Sequence, residues 1–395
     1  MKVLKGDLAI GAAILVGLVV SPLAVVSPLA KAQSSETSEA TGAASKLTKR
    51  LVGDYGYWSR YQKPPYSAAQ IPYGMLTHIN HAGVSLTPEG TLSVPQGFLE
   101  PALLSKAHKA GVKVLLLLGG DFPALATPGL MNLALGELWT FVSKHGYDGV
   151  DIDWEFPSTA QDRKTFLDLM TGLREQFPRP TYTLSADIPP WGGWAYDLKG
   201  VEPQVDYYNI MMYDCAGPWT DDAQLNSPIF WDFHDPEPWE CQPGGSAHDA
   251  IRIFVDENQI SRAKLNMGTP FYGYYYTDVR QLFESCPDIS TTWDNNCDWA
   301  VLTENYGTYI KQRINQLGWQ TFYDPVALVP YMLKTNGEPG FITYDDSFST
   351  YYRTWYSDWN QGLGGTFMWS LDADYDGHTQ DLLQAEYSGS LKPTQ

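Results

Sequence analysis

Basic residues are scarce in this chain. Its 395 residues include 26 lysines and arginines against 45 aspartates and glutamates, a formal net charge of −19. Binding a phosphate backbone or an anionic lipid surface requires clustered cations, so no nucleic-acid and no membrane partner is expected of the mature chain. Cysteine is also sparse: Cys215, Cys241, Cys286 and Cys297 are the only four. No Cys-x-x-Cys occurs, which argues against a thiolate zinc site. Long apolar runs are confined to the amino terminus, and nothing after it approaches the ~20 apolar residues needed to span a bilayer. Nor does Gly-x-Gly-x-x-Gly follow the first strand-like run, which leaves a dinucleotide-binding, doubly wound sheet without support.

At the amino terminus, Lys2 and Lys5 precede an apolar stretch over residues 9–20 that continues through Leu23 to Val26 and ends at Ala30-Lys31-Ala32. This is the layout of a cleaved signal peptide over residues 1–32, with Pro22, Pro28 and the A-x-A end favouring cleavage over a retained anchor. A secreted, extracellular chain is expected. Residues 33–50 are rich in Ser, Thr and Ala and read as a flexible leader. In an exported chain the even cysteine count predicts two disulfides. Cys215–Cys241 and Cys286–Cys297 are the preferred pairs, because each closes a short irregular segment.

From residue 51 onward, apolar strand-like runs alternate with helical patterns. Strands are predicted at 51–58, 76–84, 112–118, 149–154, 182–186, 205–213, 265–271 and 365–370. Helices are predicted at 98–110, stopped by Gly111, and at 158–177, where Phe166, Leu169, Met170 and Leu173 recur at helical spacing. Eight such units over residues 51–395 predict an α/β fold, a (β/α)8 TIM barrel. Residues 274–363 exceed any simple connection and predict a small α+β insertion before the last strand.

The most unusual stretch is DGVDIDWEFP, Asp148 to Pro157. On a strand, Asp151, Asp153 and Glu155 share one face while Val150, Ile152 and Trp154 share the other. The apolar set suits the helix-facing side, so the carboxylates line the barrel interior and rise toward its carboxyl end, where barrel enzymes keep their sites. Crowded, poorly hydrated anions hold on to at least one proton, and a carboxyl that holds a proton near neutrality is a general acid. Glu155, nearest the mouth, is the candidate acid, with Asp153 and Asp151 below it. Ca²⁺ or Mg²⁺ ligation is one alternative, although such cages usually draw ligands from flexible loops. A structural role is another, at the cost of buried charge. The acid–base reading needs neither metal nor cofactor.

Asp148-Gly149-Val150-Asp151-Ile152-Asp153-Trp154-Glu155 resembles the D-G-x-D-x-D-x-E motif of glycoside hydrolase family 18, the chitinases. Tyr55-Gly56-Tyr57-Trp58, Leu76 to Ala82, Leu117-Leu118-Gly119-Gly120, Asn209 to Asp214, Pro270 to Gly273 and Gly364 to Trp369 resemble further family stretches in the same order, over residues 51 to about 385. The resemblance implies hydrolysis of β-1,4 linkages between N-acetylglucosamine units by a retaining, substrate-assisted route. It assigns Glu155, Asp153 and Asp151 to catalysis. It puts Tyr57, Met211, Tyr213, Asp214, Trp219 and Trp369 at the sugar, and makes chitin or its oligosaccharides the partner of a monomeric enzyme. The 25 tyrosines and 14 tryptophans agree with a groove for neutral sugar rings. Three positions depart from the family pattern: Leu117 stands for its serine, Asn209 for its glutamine and Tyr274 for a common arginine. An endo-β-N-acetylglucosaminidase acting on N-glycans, and a non-catalytic chitin-binding lectin on the same barrel, are the competing readings. Glu155 argues against the lectin.

Overall fold

The computed structural model describes residues 47–231, 245–286 and 301–393. The signal peptide, most of the leader, and Cys241 and Cys297 of the two expected disulfides lie outside the described residues. Cys215 and Cys286 carry no free thiol.

In chain order the strands begin with β1 (Arg50–Gly56), β2 (His78–Leu86), the two-residue β3 (Leu92–Ser93), β4 (Lys113–Gly120) and β5 (Gly149–Ile152). They continue with β6 (Thr183–Ile188), β7 (Tyr207–Ile210) and β8 (Leu265–Pro270). The insertion strands are β9 (Tyr272–Tyr276), β10 (Val301–Asn305), β11 (Trp319–Tyr323), β12 (Pro330–Lys334) and β13 (Phe341–Thr343), and β14 (Gly365–Trp369) is last. Strands β1, β2, β4, β5, β6, β7, β8 and β14 pair in parallel in that order, and β14 returns to β1 to close the barrel. All eight predicted runs are barrel strands, and β1 starts at Arg50, one residue before the predicted edge.

The main helices are α1 (Pro101–Ala110), α2 (Pro128–His145), α3 (Ala160–Gln176), α4 (Leu198–Val201), α5 (Ala247–Arg252), α6 (Ser347–Trp355) and α7 (Asp381–Ser390). Their boundaries follow local chemistry. Gly111 ends α1 in the left-handed region at φ 77°. Thr159 and Asp162 form a capping box that starts α3. The buried faces of α2 (Met131, Ala134, Leu135, Leu138, Val142) and α3 (Phe166, Leu169, Met170, Leu173) recur at three and four residues.

Period-two alternation on the strands sorts side chains into two layers. Leu51, Ile79, Val114, Leu116, Val150, Ile152, Leu184, Tyr208, Ile210, Met267 and Met368 face the helices. Val52, Leu115, Tyr207, Met211, Tyr213 and Phe367 form a separate interior cluster.

The insertion is an antiparallel sheet in the order β10-β9-β13-β12-β11. It starts two residues before the predicted boundary, since β9 follows β8 directly, and its last strand ends at Thr343. The rest of the 274–363 span is barrel structure: α6 packs against α7. Asp346 caps α6, accepting from the Phe348 and Ser349 amides at 2.9 and 3.0 Å. Asp345 forms a buried ion pair with Arg353 at 3.0 Å. Tyr272, Tyr274 and Tyr276 of β9 join the interior cluster, so the sheet stands directly against the carboxyl-end mouth of the barrel.

Candidate active site

The acidic motif spans the height of the barrel. At its base, Asp148 accepts from the Val114 amide at 2.7 Å, and His108 Nε2 lies 2.8 Å from the same oxygen. This fixes the entry to β5 and keeps Asp148 away from the cavity. At Gly149 a Cβ would lie 1.8 Å from the Thr183 carbonyl oxygen, so only glycine allows β5 and β6 to approach this closely. Strand geometry ends at Ile152 rather than at the expected residue 154, but the Asp153 amide still bonds the Leu118 carbonyl at 3.0 Å. The alternation therefore continues: Val150, Ile152 and Trp154 are buried under the helices, and Trp154 stacks on Phe122 with centroids 5.2 Å apart.

Asp151 is fully buried beside Leu117. Its Oδ2 accepts from Asn80 Nδ2 at 3.0 Å, and its Oδ1 lies 3.5 Å from Asn209 Nδ2. Burial pushes its carboxyl up to about 6. Asp153 is pushed well above the ordinary carboxylate range by burial and then by the charges of Glu155 and Asp151. Glu155 is also raised, by burial and by the charge of Asp214, against a hydrogen bond with Asp153 that lowers it. Asp153 and Glu155 are therefore a pair that holds on to a proton above the ordinary carboxylate range. The Oδ1 of Asp153 is buried without a hydrogen-bond partner.

Above them lies a cavity of about 410 Å³ whose walls include Asp153, Glu155, Met211, Tyr213, Asp214, Trp219 and Trp369. Of the expected sugar contacts, the structure gathers these five and leaves Tyr57 outside the cavity wall. Tyr57 follows β1 and packs its ring against Trp58 and Phe98, while Trp58 is the ring that leans on Trp369, centroids 6.3 Å apart. Asp214 adopts a left-handed φ of 60°, a conformation aspartate tolerates, with its amide donating to Asn226 Oδ1 at 2.8 Å. Both Tyr272 and Tyr274 donate to Asp214 Oδ1, Tyr274 at 2.8 Å. Burial raises the Asp214 carboxyl, and these two hydroxyls lower it. The tyrosine at 274, where the resemblance expects arginine, thus supplies a neutral donor in place of a charge.

Sequence reasoning missed three features. Asp187 lines the cavity, buried and bonded to Asn209 Nδ2 at 2.9 Å. Asp54 is buried below, beside Asp151. Phe156 and Trp191, centroids 5.5 Å apart, add a pair of rings to the rim. The signal for both aspartates was the alternation itself: Thr183, Ser185 and Asp187 share the inward face of β6, as Val52 and Asp54 do on β1.

A proton-holding carboxyl pair at the carboxyl-end mouth of a closed (β/α)8 barrel is the arrangement of a barrel enzyme built for acid–base chemistry. The family model for glycosyl hydrolases family 18 matches residues 50–374, and the chain belongs to that family. It is 24% identical over 432 residues to Chitinase A1 of Niallia circulans, covering 87% of this chain and 59% of that protein. It is 25% identical over 342 residues to Chitinase B of Serratia marcescens, covering 71% and 67%. The chain spans about three fifths of the length of Chitinase A1 and of the probable endochitinase of Caenorhabditis elegans. Among solved structures, the Group IV chitinase of Ostrinia furnacalis in complex with allosamidin has the same fold, with a TM-score of 0.74 at 22% identity, covering 85% of this chain and 97% of that one.

Proposed function

We propose that this chain is a secreted chitinase that cleaves β-1,4 bonds between N-acetylglucosamine units with retention, the substrate's own acetamide acting as nucleophile. The observation that carries the reading is the Asp153–Glu155 pair at the cavity floor, with the second oxygen of Asp153 buried and unpartnered. An acetamido N–H would satisfy that oxygen, and a buried acceptor left unsatisfied is costly. The names of the relatives, and a solved complex of an Ostrinia furnacalis chitinase domain with (NAG)5, also support it.

In this mechanism Glu155 gives its proton to the glycosidic oxygen as the acetamide oxygen attacks C1. The C1–O bond breaks, the leaving sugar departs as an alcohol, and a cyclic oxazolinium forms. Asp153 accepts the acetamide N–H and offsets the developing positive charge, and Asp151 tunes Asp153. Tyr213 and Asp214 hold the acetamido group. Trp369 floors the sugar, and Trp219 and Met211 flank it. Glu155 then takes a proton from water, whose oxygen attacks C1, opens the ring and restores the acid. This route departs from the two-carboxylate scheme of most glycosidases. The signal peptide, the leader, the pairings Cys215–Cys241 and Cys286–Cys297, and a monomeric state belong to the same proposal.

The test is incubation with chitin oligosaccharides and, separately, with a high-mannose glycoprotein. Release of short N-acetylglucosamine oligomers from the first alone is expected. Cleavage of the glycoprotein alone would assign the chain to N-glycans, and binding without cleavage would make it a lectin.

A further inference from the structure

We propose that Asp187 is a positioning residue for this chemistry: a neutral carboxylic acid that donates a hydrogen bond to Asp151 and so keeps Asp151 ionised beneath the Asp153–Glu155 pair. The inference rests on the hydrolytic reading above.

The geometry begins with one amide. Asn209 Nδ2 lies 2.9 Å from Asp187 Oδ1 and 3.5 Å from Asp151 Oδ1, so a single nitrogen spans both carboxyls. Its orientation is fixed from below: Asn209 Oδ1 accepts from Asn266 Nδ2 at 2.9 Å, and Asn266 Oδ1 accepts from Arg50 Nε at 2.9 Å. The amide oxygen therefore points away from the acids. Asp187 and Asp151 therefore adjoin across that one nitrogen. Two adjoining carboxylates that share one neutral donor cannot both be ionised.

No charge from the surrounding elements offsets them. From β1 they face Asp54, and Arg50 reaches them only through Asn266 and Asn209. From β2 they meet Asn80, and His78 is held neutral by burial, its pKa lowered to about 3. Strand β5 and its continuation supply only Asp153 and Glu155, and β6 adds the uncharged Ser185. The phenols of Tyr207 on β7 and of Tyr213 after it are pushed up by burial and stay neutral. Among the described residues no lysine or arginine lies within ion-pair distance of Asp54, Asp151, Asp153, Asp187 or Glu155. Protons must be retained, and the donor count says where. Among the described residues Asp151 takes donors from Asn80 at 3.0 Å and Asn209 at 3.5 Å, whereas Asp187 takes Asn209 alone. The carboxyl with more hydrogen-bond donors is the one that ionises, so Asp187 keeps the proton. The charge on Asp151 in turn raises Asp153 and keeps the catalytic proton on the Asp153–Glu155 pair.

The test compares Asp187→Asn, which retains a neutral donor of the same shape, with Asp187→Ala, which has none. On a chitin tetrasaccharide, Asp187→Asn should keep kcat and its pH profile close to wild type. Asp187→Ala should lower kcat by about tenfold with KM little changed, and move the alkaline limb down by about one pH unit. Tryptophan fluorescence titration with the same tetrasaccharide checks that the cavity is intact. An Asn variant as impaired as the Ala variant, or an Ala variant with an unshifted profile, overturns the proposal. A readout independent of turnover covers a misfolded Ala variant and an inactive wild type. The infrared carbonyl band of a neutral carboxylic acid at pH 7 should lose intensity in Asp187→Asn relative to wild type. No loss would show that Asp187 is ionised and would refute the assignment even if chitin is cleaved.

Discussion

Replacing Asp151 with asparagine should stabilise the protein above pH 6 while damaging its activity. Asp151 is fully buried, and burial raises its carboxyl from 3.8 to about 6. The unfolded chain releases this proton near 3.8 and the folded chain near 6, so between those values the folded state binds more protons. The sign follows: nothing is lost below pH 3.8, stability falls as pH rises through the folded value, and the loss then stays constant. At about 1.4 kcal/mol per pH unit the gap is worth about 3 kcal/mol. The amide keeps the geometry, since its oxygen can accept from Asn80 and its NH2 can face Asp187. For a domain of this size the gain corresponds to roughly 5 °C in Tm. The assay is a series of thermal melts of both proteins from about pH 3.5 to about pH 7.5. The curves should coincide at the acid end, separate between pH 4 and pH 6, and run parallel above. An asparagine variant less stable at pH 7 than wild type, or an offset independent of pH, would refute the reasoning.

Glu155→Gln removes the exchangeable proton but not the shape of the side chain. It should lower kcat by about 10³-fold or more while oligosaccharide binding stays measurable, and a variant keeping a tenth of the activity would exclude Glu155 as the acid. Gly149→Ala forces a methyl group onto the Thr183 carbonyl. Chemical denaturation should show a loss of about 3 kcal/mol, whereas a change under about 1 kcal/mol would mean that β5 and β6 can part freely. Tyr274→Phe deletes one of the two hydroxyls that hold Asp214. Steady-state kinetics should show kcat/KM lowered by about tenfold, and an unchanged value would assign Tyr274 to packing alone.

The barrel was legible because its signal is redundant. Each parallel strand is apolar on its outer face, each is followed by a turn, and most lead into an amphipathic helix, so an error at one boundary does not disturb the count. The acidic motif was legible for the opposite reason, as a local violation of that pattern. Asp187 and Asp54 were harder to see because each is a single carboxyl in a run with no other charge, and the predicted strand at 182–186 stopped one residue short of Asp187. Their meaning depends on pairing across strands: Asn209 comes from β7, Asn266 from β8, and their link to Asp187 and Asp151 needs the barrel closed. The insertion's edge was misjudged because β9 continues from β8 with no turn residues between them. The helix at 347–355 lies in the same long connection but packs against α7 as part of the barrel, which only the closed fold shows.

Strand β5 shows how the fold sustains such a site. Its inner face carries charge that the barrel does not neutralise, and Asp151 alone costs about 3 kcal/mol at neutral pH. Its outer face continues with Val150, Ile152 and Trp154, all buried and all in the same helix-side cluster as Phe122, Phe166 and Leu169. At about 1.5–3 kcal/mol for each buried side chain, these three contribute roughly 5–9 kcal/mol, more than the Asp151 penalty. The alternation that makes Asp151 and Asp153 neighbours is the same alternation that supplies the compensating burial. A polar substitution at Ile152 would therefore remove the support for an acid it does not touch. Conversely, neutralising the inner face leaves the outer face intact, and this is why the asparagine variant should gain stability where it loses chemistry.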